Sequence, residues 1–299
     1  LAVAGFGFGA FIWILLANPP SVLGFSGLIN LQSNSEFAYT VANVDSAFLI
    51  YGVAFLVLVI LGSLAMKNPP TGWKPTGWNP PKTSTGSPSG ICLKPTAMLK
   101  TKNFYLLWMM FLIGALAGLM VIGNVQNFAK SPTDGFISYG FSAQAAIDFA
   151  VIGAAVCLPI FNGAGRIIWG QVSDRIGRRK ALIVMFAFQA SMMAAFFYTT
   201  SNPYLFYVVA ALIGFNFGGN FALFPCACAD SFGAENLGLN YGFLFTSYGI
   251  GGIVGPILAG QVQDAGLSFL YAFIPAAIMC IIAATLAIIY RDICVEKTK

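Results

Sequence analysis

One arginine lies within a long apolar stretch of the sequence, where a charged side chain is costly to place. Arg166 precedes the polar turn at Asp174 by eight residues, which is about 12 Å along a helix. A charge in the middle of a membrane helix costs about 2.5–3.5 kcal/mol on insertion scales and commonly marks a functional site. A guanidinium can hold a carboxylate through two parallel hydrogen bonds. The position therefore predicts an anion site, although Arg166 could instead extend its charge to the headgroups of the nearer membrane surface.

Several polar residues recur at helical spacing in other apolar stretches. Asn162 lies one turn before Arg166, and Tyr248 lies seven residues after Tyr241 on the same helix face. Facing one another in a bundle, such side chains could line an aqueous cavity and bind a solute. The alternative is that they form hydrogen bonds between helices and serve packing only. The residues predicted to bind substrate are Arg166, Asn162, Asn216, Asn220 and Tyr248.

The densest charge in the sequence lies in residues 174–180, which we term the charged turn. A carboxylate at the end of one helix, Asp174, can pair with arginines beyond the turn, and Gly177 permits a tight reversal of the chain. Such a pair could hold two helices in one conformation as a latch. The alternative is that the charges only fix the orientation of the chain in the membrane. The predicted latch motif consists of Gly170, Asp174, Arg175, Gly177, Arg178 and Arg179.

The composition excludes a water-soluble domain. Hydrophobic residues make up 58% of the chain and charged residues 8%, whereas soluble domains have about 25% charged residues. Long apolar runs without alternation favour membrane-spanning helices over a barrel. The net charge of +5 is interpreted as the inside-positive bias of a membrane protein and not as nucleic-acid binding. The chain has no histidine and 6 scattered cysteines, so we expect no metal site, no cofactor and no enzymatic activity.

Hydropathy predicts an all-α, polytopic transmembrane bundle. The predicted spans are residues 1–17, 46–66, 104–125, 143–172, 181–198, 204–225, 241–262 and 267–290. Residues 67–103 form a linker rich in Pro, Gly, Ser and Thr that contains lysines and no acid, which places it in the cytoplasm. Because successive spans cross the membrane in opposite directions, the turn at residues 173–180 and the C-terminus are then expected in the cytoplasm as well.

Glycines at helical spacing predict close contacts between the spans. Gly114 and Gly118 are one turn apart, as expected for a close-packing pair. Gly251 and Gly255 lie in another span, where Pro256 also removes a backbone hydrogen bond. In that span the pattern fits either tight packing or a hinge for conformational change.

The order of residues from Gly170 to Lys180 resembles the G-x-x-x-D-R-x-G-R-R signature of the major facilitator superfamily, in the copy between helices eight and nine. The resemblance implies two six-helix halves. Residues 1–66 would be helices five and six, 67–103 the central linker, and 104–299 helices seven to twelve with a short tail. The chain begins at Leu1, without methionine and inside an apolar run. We therefore expect a fragment that lacks helices one to four.

Within that superfamily, the glycine-rich first span, residues 162–166 and residues 240–242 resemble the oxalate/formate antiporter family of monocarboxylate and dicarboxylate carriers. The resemblance implies that an arginine of helix eight, here Arg166, binds the substrate carboxylate. It also implies a second cation in helix eleven for oxalate, but this helix contains no Lys or Arg and Tyr248 is the best match for that position. One guanidinium favours a monocarboxylate such as formate, lactate or pyruvate.

The sequence thus predicts a secondary active transporter of a small organic anion that works by alternating access. The anion would be exchanged for another anion or coupled to protons. We expect a monomeric, multi-pass protein of the plasma membrane, with lipid and the anion as its partners and no nucleic acid. The alternative is a transporter of a neutral or cationic solute, with Arg166 paired to an acid in the missing N-terminal half.

Overall fold

The computed structural model describes the backbone of residues 41–65 and 92–290. Within these two ranges the secondary structure is helical and no strand occurs. The helices are α1 (Val41–Ala65), α2 (Pro95–Met98), α3 (Lys102–Lys130), α4 (Ala143–Val151), α5 (Leu158–Ile176), α6 (Arg178–Phe196), α7 (Pro203–Phe232), α8 (Leu237–Asp264) and α9 (Leu270–Ile289). The first predicted span, most of the linker and the C-terminal tail lie outside the described residues.

Six helical stretches within the described residues are long and apolar enough to cross a membrane. They begin with Lys102–Lys130 and end with Leu270–Ile289, and each coincides with one of the six spans predicted after the linker. The all-α prediction is confirmed, and α1 also matches the predicted span at residues 46–66. Large aliphatic side chains cover the outer surface, as Ile253 and Ile257 on α8 and Ile278 and Ile281 on α9 illustrate. Because water solvates such a surface poorly, the chain is a multi-pass membrane protein.

One predicted span boundary was wrong by seven residues. The span expected to end at residue 225 continues in α7 through Pro225 to Phe232. Proline is tolerated in membrane helices because neighbouring groups satisfy the freed backbone atoms. The longer helix brings Asp230, which had been assigned to a loop, onto the last two turns of α7.

Helices α4 and α5 form one continuous span joined by a π-helical segment, Ile152–Cys157. A π segment widens the helix locally and rotates the residues that follow it, and such segments are frequent at functional sites. Gly153 in this segment packs against the ring of Phe206 on α7. The segment therefore helps to set which face of α5, and with it Arg166, points towards α7.

Glycines permit the closest helix contacts. On α7, Gly214 lies against the Leu158 carbonyl and Gly218 against the Asn162 carbonyl, so the backbones of α5 and α7 touch. The predicted pair on α3 is confirmed, because Gly114 packs against the Asn220 side chain and Gly118 against the ring of Phe217, both on α7. The α5–α7 contact is among the most extensive helix pairs in the bundle, and it holds the arginine-bearing helix at a fixed depth.

The glycines of α8 also serve close packing. Gly251 and Gly255 face backbone atoms of α3, at the carbonyls of Leu112 and Leu116. Asn124 on α3 strengthens this contact by donating a hydrogen bond of 3.2 Å to the Pro256 carbonyl. Of the two interpretations of this glycine pattern, tight packing is the one that the contacts support.

One acidic residue, Asp134, joins three loops at the end of the bundle opposite the charged turn. Asp134 accepts hydrogen bonds from the Phe269 backbone N–H at 2.7 Å and from the Ser268 hydroxyl at 3.1 Å, at the start of α9. Its backbone carbonyl accepts a hydrogen bond of 2.6 Å from the Thr200 hydroxyl. A carboxylate at a helix N-terminus satisfies otherwise unbonded amides, so Asp134 ties the loop after α3 to the start of α9 and to the 3-10 segment that follows α6, Phe197–Ser201.

Candidate functional site

The guanidinium of Arg166 is fixed by its own helix and by an aromatic ring. Its Nε donates a hydrogen bond of 3.1 Å to Oδ1 of Asn162, one turn earlier on α5. Its central carbon, Cζ, lies 4.3 Å from the centroid of the Phe221 ring on α7. A planar guanidinium stacks well on an aromatic face. The two contacts define the orientation of the guanidinium plane, which is the property that recognition of a planar carboxylate requires.

Aromatic side chains of α7 and α8 surround this cation. The Tyr248 ring lies 5.4 Å from that of Phe221 and stacks on Phe245 at 4.8 Å. Tyr241 packs against Phe245 at 5.5 Å. Both phenols lie within electrostatic range of the Arg166 guanidinium. The result is a half-buried cation in an aromatic surrounding with hydroxyl groups nearby, where a low local dielectric strengthens the attraction of an anion.

The structure brings together three of the five residues predicted to bind substrate: Asn162, Arg166 and Tyr248. Asn216 points elsewhere, because its amide donates to the Met185 carbonyl at 2.7 Å and to Gln189 Oε1 at 3.0 Å, both on α6. It therefore links two helices in the manner expected of a buried polar residue.

Asn220 is also buried at a helix contact. Its side chain lies against Gly114 of α3, and its amide donates a hydrogen bond of 3.2 Å to the Phe217 carbonyl. The substrate-binding roles of Asn216 and Asn220 stay predictions. Asn216 forms hydrogen bonds to α6, whereas Asn220 packs against α3 and forms its hydrogen bond within α7.

Sequence reasoning missed Phe221 as the residue that covers the guanidinium. The chain contains 28 phenylalanines, and nothing in the spacing of those on α7 distinguishes Phe221 from Phe217 or Phe224. Its position one turn after Phe217 on the face towards α5 and α8 emerges only from helix packing. The spacing of Tyr241 and Tyr248 had already placed both phenols on one face of α8, although Tyr241 was not among the five residues predicted to bind substrate.

The charged turn forms the predicted ion pair. Gly177 adopts φ of 88°, a left-handed conformation that suits glycine because it has no Cβ. The reversal places an Arg178 Nη atom 2.6 Å from Oδ1 of Asp174, and the same arginine also donates to the Ser173 hydroxyl. Arg178 Nε is 2.9 Å from Oδ2 of Asp230 on α7. One guanidinium thus connects the end of α5, the start of α6 and the end of α7.

The remaining residues of the motif differ in what they contact. Arg179 donates to the Ile288 carbonyl near the end of α9. Gly170 faces Ala222 on α7, at 3.9 Å from the position a Cβ would occupy. Arg175 is exposed. Sequence reasoning missed Asp230 because the expected end of the span at residue 225 had removed it from the helix.

Replacing Asp230 with asparagine is expected to lower the free energy of unfolding by about 1–3 kcal/mol, the usual contribution of a charge-assisted hydrogen bond. Asp230 and Arg178 are largely covered, with side-chain exposures of 30% and 18%, so solvent screens their attraction only partly. Thermal unfolding of the purified protein in detergent measures the change.

The matched control for this experiment is Glu235→Gln, which removes an exposed carboxylate in the adjacent loop and should change stability by less than about 0.5 kcal/mol. A double-mutant cycle with Arg178→Gln isolates the energy of the pair. Equal destabilisation by Asp230→Asn and Glu235→Gln would show that the contact contributes nothing.

Taken together, the helices and the interior cation define a multi-span membrane protein with a charged site between α5, α7 and α8. A family model described as the Major Facilitator Superfamily matches residues 133–297, more than half of the chain. The chain belongs to this superfamily, which confirms the family resemblance of the signature between Gly170 and Lys180.

Three relatives show where similarity lies within the superfamily. An uncharacterized MFS-type transporter of Escherichia coli, YhjX, is 28% identical over 214 residues, 70% of this chain and 48% of that protein. The oxalate:formate antiporter of Oxalobacter formigenes is 30% identical over 248 residues, 83% of this chain and 54% of that protein. Apicoplast pyruvate carrier 1 of Toxoplasma gondii is 36% identical over 101 residues, 33% of this chain and 18% of that protein. The chain spans about half the length of the first two relatives.

Proposed function

We propose that the protein is a secondary active transporter of a small organic anion, most simply a monocarboxylate of the formate, lactate or pyruvate type. Arg166 binds the carboxylate. The observation that carries the proposal is the guanidinium held between Asn162 Oδ1 at 3.1 Å and the Phe221 ring at 4.3 Å. An arginine oriented in this way inside an apolar bundle suits recognition of a planar anion.

The chemistry around Arg166 favours an anion with one carboxylate. The side chains contributed by α7 and α8 to its surroundings are Phe221, Phe245, Tyr241 and Tyr248. These provide apolar surface for a short carbon chain and phenol hydroxyls for a second polar group, as on a hydroxy or keto acid. They provide no second positive charge. Such a site compensates one carboxylate better than two.

The relatives support the same substrate class. One of them is named an oxalate:formate antiporter and another an apicoplast pyruvate carrier. Both names refer to small carboxylates, and the similarity to the antiporter extends over 83% of this chain. We infer exchange of one anion for another as the mode of coupling, and alternating access of two helical halves as the mechanism.

The charged turn would act as the latch in this cycle. The Arg178 guanidinium joins α5, α6 and α7 at one end of the bundle through Asp174 and Asp230. Contacts at a helix end that form in one state and break in the other bias the equilibrium between the two. We place this end of the bundle in the cytoplasm of a plasma-membrane protein, because the basic residues concentrate there.

Radiolabelled uptake into liposomes that contain the purified, intact protein tests the proposal. We expect flux of formate, lactate or pyruvate that unlabelled monocarboxylates compete away, and faster uptake when the liposomes are preloaded with one of these anions. Neutral sugars should not compete. Uptake inhibited by neutral sugars or by organic cations, but not by carboxylates, would overturn the assignment and favour a transporter of a neutral or cationic solute.

A further inference from the structure

The four cations of the charged turn divide into two pairs with different surroundings. Arg178 and Arg179 contact the protein, at Asp174 and Asp230 for the first and at the Ile288 carbonyl for the second. The side chains of Arg175 and Lys180 are exposed and form no hydrogen bond or ion pair with any other residue in the described ranges. The first pair is explained by contacts within the bundle, whereas the second pair is not.

Arg175 and Lys180 border a groove on the surface of the described part of the bundle. The groove has a volume of about 490 Å³, and its wall consists of Arg175, Ile176, Lys180, Ile183 and Val184. Lys180 and Val184 are one turn apart on α6, so they share a helix face. Ile176 is 40% exposed and Val184 51% exposed. The groove therefore has two cations at the helix ends and apolar surface continuing along α6.

The groove lies at the end of two membrane spans, where α5 ends and α6 begins. At that level a lipid headgroup meets the start of its acyl chains. Asp174, the acid nearest to Arg175 in sequence, is already engaged by Arg178 at 2.6 Å. The two lining cations therefore present a positive charge towards the membrane surface.

We propose that this groove binds an anionic phospholipid, with Arg175 and Lys180 contacting the phosphate and Ile183 and Val184 contacting the first part of an acyl chain. Charge complementarity and the adjoining apolar wall argue for a lipid as the occupant. Basic pockets between membrane helices bind anionic headgroups by the same physical principle. The proposal is independent of the transported substrate, since the groove shares no residue with the site around Arg166.

Native mass spectrometry of the intact protein, with phosphatidylglycerol and phosphatidylcholine added in turn, tests the proposal. We expect the unsubstituted protein to retain phosphatidylglycerol in preference to phosphatidylcholine. Arg175→Gln combined with Lys180→Gln should weaken phosphatidylglycerol binding about thirtyfold, because each surface cation contributes about 1 kcal/mol to attraction of anionic lipid. The matched control is Lys100→Gln with Lys102→Gln, which removes two exposed cations at the same end of the bundle but outside the groove.

A second variant separates the groove from general electrostatic attraction. Val184→Trp keeps both cations and fills the apolar part of the groove, so it should also weaken phosphatidylglycerol binding. The proposal is overturned if the control pair of substitutions weakens binding as much as the Arg175 and Lys180 pair. It is also overturned if Val184→Trp leaves binding unchanged, or if the unsubstituted protein does not distinguish the two lipids.

Discussion

Replacing Arg166 with alanine is expected to reduce carboxylate flux by at least about a hundredfold. A charge-assisted hydrogen bond contributes about 1.5–3 kcal/mol, and a guanidinium can form two with one carboxylate. Alanine removes both and leaves aromatic rings and phenols around the site, which attract an anion far less. The measurement is initial uptake of radiolabelled formate, lactate and pyruvate into liposomes that contain equal amounts of each variant.

Arg166→Lys distinguishes a specific carboxylate contact from a general positive charge. Lysine keeps the charge but lacks the planar fork, and it has no Nε to donate to Asn162 Oδ1. We therefore expect intermediate flux, reduced about tenfold. Lys130→Ala is the control, because it removes an exposed cation at the far end of α3 and should change flux by less than about twofold.

Two results would contradict the role of Arg166. Unchanged flux in both Arg166 variants would show that the carboxylate binds elsewhere. Equal loss in the alanine and lysine variants, together with a lowered unfolding temperature in both, would indicate that Arg166 supports the fold and not the substrate. Thermal unfolding of each purified variant, measured alongside uptake, separates these cases.

Gly218→Ala is expected to destabilise the bundle by at least about 2 kcal/mol. A Cβ at this position would overlap the Asn162 carbonyl oxygen and crowd the Arg166 backbone N–H. Overpacking of this kind costs about 1–3 kcal/mol even where side chains can adjust. Here the neighbouring atoms belong to the α5 backbone, so the whole helix must move. Thermal unfolding in detergent measures the loss.

The control for this prediction is Gly260→Ala on α8, where an added Cβ would meet nothing within 4 Å. Alanine is favoured over glycine inside a helix by about 0.5–1 kcal/mol, so Gly260→Ala should leave stability unchanged or raise it. Both variants replace glycine with alanine, but stability should fall in Gly218→Ala and stay unchanged or rise in Gly260→Ala. A Gly218→Ala protein as stable as Gly260→Ala would show that α5 and α7 are not packed this closely.

Gly218→Ala should also disturb the position of Arg166. The carbonyl that it displaces belongs to Asn162, whose side chain accepts the hydrogen bond from Arg166. Helix α5 would therefore move together with the guanidinium, and flux should fall in any fraction of the protein that still folds. A small displacement of a positioning group is enough to reduce activity substantially.

Local sequence features were sufficient for much of the architecture. Apolar runs longer than a bilayer is thick allow only helices, because backbone groups in lipid must be satisfied within the segment. The glycine pair on α3 and the reversal at Gly177 follow from steric rules that act over a few residues. The pair between Asp174 and Arg178, four residues apart, is a contact of the same local kind. The hydrogen bond between Asn162 and Arg166 also follows from helical spacing.

Tertiary structure decided which residues from separate helices meet. Phe221 covers Arg166, and Asp230 completes the ion network at Arg178, only because α7 crosses α5 at glycines and continues past Pro225. Asn216 turns towards α6 for the same reason. Helical spacing fixes the face on which a side chain lies, but the partner of that face depends on how the helices cross. In lipid, where apolar surface attracts any apolar surface equally, that crossing is set by small residues and hydrogen bonds across the whole bundle.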